Sequence, residues 1–126
     1  MKRLLFITSL LTSFLVVGIV SLSACEINVS VQGDAKDSYS KNEIVILKIT
    51  VKKTHRNCSQ SIDATQFKGD GMELLGAQKW QQTSGNQYTR LVKVKLTGND
   101  DGEAILHARR TCDKEGGHGV FKVKIQ

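Results

Sequence analysis

Apolar and polar residues alternate along most of this chain, and after residue 25 no stretch repeats them with the period of an amphipathic helix. The strongest run is 44–53. Val45, Leu47, Ile49 and Val51 fall on one face, while the other carries Ile44 and Ile46, then Lys48, Thr50 and Lys52. Successive side chains of a strand point to opposite faces, so a period of two specifies β-structure with one wet side. Because its first half is apolar on both faces, this run is placed centrally in a sheet.

The same alternation recurs along the chain. Ile27, Val29 and Val31 alternate with Asn28, Ser30 and Gln32. Residues 61–67 read as a short extended piece showing Ile62 and Ala64, with Phe67 at its end, and 72–76 resume extended structure toward Trp80. Tyr88, Arg90, Val92, Val94 and Leu96 share one side of the next strand. Across 103–112, Ala104, Leu106, Ala108, Arg110 and Cys112 oppose Ile105, His107 and Arg109, and Phe121, Val123 and Ile125 mark the last strand. Turn residues separate these runs. They include Lys68-Gly69-Asp70-Gly71, a turn over 81–87 around Ser84-Gly85-Asn86, and a glycine-rich loop over 113–119. The Gly98-Asn99-Asp100-Asp101-Gly102 run is the clearest hairpin signal, since Asn, Asp and Gly tolerate positive φ. Roughly seven short alternating strands predict an all-β domain, a single immunoglobulin-like sandwich. The antibody signature is missing, with no Trp on the third strand and Arg110 where a Tyr would precede Cys112.

The first 25 residues follow another pattern. Lys2 and Arg3 precede an uncharged apolar run, 4–22, which ends in Leu22-Ser23-Ala24-Cys25. A charged start, an apolar middle and small residues at a cut site make a secretory signal. The last four residues resemble the lipobox of bacterial lipoproteins, in which the Cys thiol is alkylated with diacylglycerol and the peptide is cleaved just before it. The resemblance implies a signal peptide at 1–24, a domain at 25–126 and lipid on Cys25, followed by almost no tether. It further implies a cell-envelope location with the membrane as a partner. Glu26 is not the Asp that marks inner-membrane retention in some lipoprotein families, so the outer membrane is expected where the host has one. Two other readings fit the same residues: an uncleaved N-terminal anchor, and ordinary signal cleavage after Ser23 with Ser21 at the −3 position.

Three cysteines are present, Cys25, Cys58 and Cys112. The lipobox accounts for the odd one, and in an oxidising envelope the remaining pair is most simply a Cys58–Cys112 disulfide. Both lie at strand ends, at one pole of an immunoglobulin-like sandwich, so the bridge would clip loops together there. The same pole carries His55-x-x-Cys58 and Cys112-x5-His118. Two sulfurs and two imidazoles are a ligand set for Zn or Cu, which keeps a metal or redox site at His55, Cys58, Cys112 and His118 open. The arrangement is also faintly similar to the superoxide reductase family, whose immunoglobulin-like domain holds iron with histidines and a Cys followed by a His. Here Lys114 and Glu115 stand where that family places its His.

Charge excludes less than it suggests. The chain carries a formal +6, but its cations mostly alternate with apolar residues, as on the wet face of strands, and an exported chain is a poor nucleic-acid binder. Arg56, Arg109 and Arg110 give the cysteine pole a positive character suited to an acidic protein or glycan. His107 reads as an exposed or cross-strand residue. Asp70, Asp100 and Asp101 lack the alternate-position ligands of a calcium loop, and Gly116-Gly117-x-Gly119 lacks the strand–helix context of a phosphate loop, which leaves a loop of unusual dihedrals. No Ser or Cys has a patterned base and orienting partner. A non-enzymatic binding or structural module is therefore expected.

Overall fold

A computed structural model of the chain describes residues 25–54, 61–111 and 116–126. Eight strands follow in order: β1 (Cys25–Val31), β2 (Glu43–Lys53), β3 (Gln66–Asp70), β4 (Met72–Ala77), β5 (Gln81–Ser84), β6 (Gln87–Leu96), β7 (Glu103–Arg110) and β8 (Gly117–Lys124). One sheet has the order β1-β2-β6-β4, with β5 also on β6; the other is β3-β7-β8. All of these pairings are antiparallel. Residues 72–77 pair with the end of β6, from Leu96 back to Val92, and β5 pairs with its beginning, Thr89 to Gln87. β4 and β5 therefore act as one edge strand broken at 78–80. Counted that way, a four-stranded sheet faces a three-stranded one in the order of a constant-type immunoglobulin sandwich.

The alternating faces meet between the sheets. Leu47, Ile49 and Val51 of β2, Val92, Val94 and Leu96 of β6, and Ala104, Leu106 and Ala108 of β7 are all buried. Register puts Leu47 opposite Val92 and Val45 opposite Val94. A one-residue slip would turn either set to water, so burial itself fixes the pairing. β2 is central, as expected from its sequence, but the outer side of its first half is uncovered: Ile44 is 52% exposed and Ile46 36%.

Local chemistry departs from the sequence expectation at several places. Residues 62–64 form a 3-10 turn capped by Ser61, whose hydroxyl accepts from the Asp63 N–H at 3.1 Å. Lys68 to Asp70 belong to β3, with the turn confined to Gly71. Residues 81–84 form β5 rather than a turn. Residues 98–102 have the positive φ at Gly98 and Gly102 that their composition implies, yet they join strands of different sheets rather than closing a hairpin. The side chain of Asn99 accepts there from the N–H groups of Asp101 and Glu103, at 3.0 and 2.9 Å.

Tyr39, unassigned by periodicity, is 3% exposed. Its N–H donates to the Lys124 carbonyl at 2.9 Å and its carbonyl accepts from the Gln126 N–H at 2.8 Å. A parallel bridge to Ile125 results, which carries the β1–β2 connection onto the edge of the second sheet.

Candidate functional site

Of the site residues that the sequence singles out, Cys25, Arg109, Arg110 and His118 are described, and all four lie toward one pole of the sandwich. Cys25 opens β1 opposite Lys53, and Gly117 opens β8 opposite Arg110. The two strands touch through glycine. A Cβ on Gly117 would lie 2.5 Å from the Cys25 carbonyl oxygen and 2.8 Å from its Cβ, and one on Gly119 would lie 2.7 Å from the Ile27 oxygen. These glycines are strand residues without positive φ, so they serve close approach of backbones rather than an unusual loop. The apparent loop over 113–119 thus gives way to β8 at Gly117. Cys25 is buried beneath this contact, 1% exposed.

Arg110 lies inside. It is 2% exposed, and its Nη1 donates to the carbonyls of Ser61 and Ile62 at 3.0 and 3.1 Å and to the Thr65 hydroxyl at 2.7 Å. A guanidinium so engaged ties the segment entering β3 to the end of β7 and does not present charge to a ligand, contrary to its grouping with Arg109. Arg56, His55, Cys58 and Cys112, and with them the disulfide and most of the Zn or Cu set, lie outside the described residues. Their described neighbours share the pole: Thr54 follows Lys53, Ser61 meets Arg110, and Thr111 and Gly116 flank the β7–β8 connection.

Arg109 and His118 face outward on the second sheet. Register sets Gln66, Arg109 and His118 in one row across β3, β7 and β8, and Lys68, His107 and Val120 in the next. His107 and His118 meet diagonally, with Nδ1 of the first 3.4 Å from Nε2 of the second, centroids 5.6 Å apart and rings inclined by 7°. Gln66, Phe67, Lys68, His107, Arg109 and His118 line a groove of about 750 Å³. A second of about 550 Å³ continues from Arg109 and His118 toward Thr111 and Gly116 at the pole.

No family model, no curated protein and no solved structure matches the chain. The geometry therefore carries the functional reading alone. Among the described residues no group of three or more His, Cys, Asp or Glu could hold a metal ion, and the one described member of the proposed ligand set, His118, is stacked on His107.

Sequence reasoning left Lys68 and His107 out of any site. The missing signal was the alternation Gly117-His118-Gly119-Val120, in which glycines occupy the inward positions. Glycine carries no hydropathy pattern, so the strand looked like loop and the neighbour of His107 went unseen. A further groove, of about 500 Å³, crosses the outer face of the first sheet over Ile46, Leu91 and Ala77, beside Lys93.

Proposed function

We propose that the chain is a lipid-anchored cell-envelope β-sandwich that acts as a non-enzymatic binding module, carried on Cys25 and clipped by a Cys58–Cys112 disulfide. The observation that carries this reading is that the lipobox cysteine lies within β1. Cys25 pairs with Lys53, so cleavage before it would keep β1 paired from Ile27 onward and leave the anchor almost no linker. The cysteine pole would then lie against the membrane. The opposite pole, with residues 98–102 and the C-terminal Gln126, would point away.

Burial of Cys25 sets a condition. Its sulfur cannot hold diacylglycerol inside the core, so the modified residue must leave its place beside Gly117 while the strand from Ile27 onward stays paired. The disulfide is supported by the convergence of Thr54, Ser61, Thr111 and Gly116 on one pole, and bridging a loop of this size stabilises by roughly 2–4 kcal/mol.

The test is processing in cells. Wild-type chain should incorporate a fatty-acid analogue and shift to the mature size, whereas Cys25→Ser should remain unprocessed and unlabelled. A Ser variant cleaved normally, beside a lipid-free wild type, would sink the anchor.

A further inference from the structure

We propose that Lys68, His107, Arg109 and His118 form a binding site for a tetrahedral oxyanion, the phosphate or sulfate group of an acidic envelope ligand. The envelope source of that ligand rests on the anchored-module reading; the site itself does not. Four nitrogen-bearing side chains from three adjacent strands converge on one groove. Among the described residues no carboxylate lines it. The acids on the same sheet face are engaged farther along the strands: Asp70 accepts from the Asn99 amide at 3.2 Å, and Glu103 pairs with Lys122 at 3.0 Å. Neither Lys68 nor Arg109 has a carboxylate partner among the described residues.

Donors spread over three strands match an acceptor with oxygens in several directions, which a planar carboxylate seated on one guanidinium is not. The histidine contact favours the same ligand. At 3.4 Å one ring N–H can donate to the other ring, and a neutral imidazole that accepts on one nitrogen carries its proton on the other, free to donate to an oxyanion. The charged groups of the surrounding strands are Lys68 and Asp70 of β3, Glu103 and Arg109 of β7, and Lys122 and Lys124 of β8. Asp113 and Glu115 lie outside the described residues. Phe67 supplies an apolar wall, and Gln66 a further amide donor.

The experiment is calorimetric titration of the full chain in detergent micelles with sodium sulfate, whose charge is constant from pH 6 to 8, at fixed ionic strength. Saturable binding is expected at pH 6. Lys68→Gln and Arg109→Gln should each weaken it about fivefold or more, with circular dichroism confirming the fold of each. A control on the other sheet, Lys93→Gln, should leave the affinity unchanged. Absence of saturable sulfate binding at pH 6, or an equal loss in the control, would overturn the site. Displacement of sulfate by a soluble sulfated oligosaccharide assigns a glycan, and displacement by phosphatidylglycerol added to the micelles assigns a lipid headgroup. Displacement by neither contradicts an envelope ligand. Failure of Cys25 lipidation would leave the titration untouched, so the two readings fail separately.

Discussion

The two poles of the sandwich are held by different means. At the far pole the backbone does the work: the Gly71 carbonyl accepts from the N–H groups of Thr97 and Gly98, at 2.9 and 2.8 Å, so the β3–β4 and β6–β7 crossings interlock. Asn99 closes the second crossing from within. At the near pole side chains and missing side chains dominate, with Arg110 reaching across to Ser61, Ile62 and Thr65, β8 glycines admitting β1, and a disulfide proposed between the adjoining loops. Backbone interlocking is indifferent to redox state and acidity. Cysteine chemistry is sensitive to redox state, so the chemically responsive end of the domain is the end proposed to meet the membrane.

That contrast can be broken most severely at the far pole. Gly71 has φ +70°, and a Cβ there would meet the Glu103 carbonyl and lie 2.6 Å from the Asn99 nitrogen. Gly71→Ala combines a left-handed backbone with a clash against backbone, and should cost on the order of 3–5 kcal/mol. Chemical denaturation should show it with and without reductant alike, and a loss below 1 kcal/mol would mean that the crossings are not interlocked as described.

Next comes the near pole. Replacing both Cys58 and Cys112 with Ser should leave a folded β domain that melts roughly 10–20 °C earlier, the equivalent of about 2–4 kcal/mol. Reductant should lower the melting temperature of wild type by a similar amount and leave the double variant unmoved, whereas sensitivity to chelator in place of reductant would favour metal.

Arg110→Met keeps the aliphatic length but removes three hydrogen bonds, to the part-buried Ser61 and Ile62 carbonyls and the buried Thr65 hydroxyl, a cost of about 2 kcal/mol. Hydrogen exchange should quicken around 61–65 while residues 97–103 keep their protection; uniform quickening would dissolve the distinction between the poles. Smallest is Asn99→Ala, which should cost about 1 kcal/mol, read as a melting shift that is the same in reductant.

The sequence carried the fold wherever apolar positions alternated with polar ones. Val45 to Val51, Val92 to Leu96 and Ala104 to Ala108 were legible because a period of two has one structural meaning over that length. It failed where glycine held an inward position, as at Gly117 and Gly119, and where a turn motif proved to join two sheets. Composition at 98–102 encodes backbone angles; which strand lies beyond the turn is decided by packing. Arg110 shows a third limit. Its inward position was visible in the β7 alternation with Leu106 and Ala108, but a charged residue there gives no hint of the carbonyls that hold it. Half of the oxyanion site, Arg109 and His118, was singled out from sequence. Lys68 and His107 needed the register of β3 and β8 against β7.

A lipid-bearing Cys25 at the start of the mature chain is the proposal on which the anchor and the membrane-facing pole both rest. Intact mass spectrometry of the chain extracted from envelope membranes, followed by fragmentation of its N-terminal peptide, tests it directly. The expected species begins at Cys25, carries two or three acyl chains on that residue, and gains two hydrogens on reduction as Cys58 and Cys112 part. A chain that keeps residues 1–24, or begins at Ala24 with an unmodified Cys25, would contradict it.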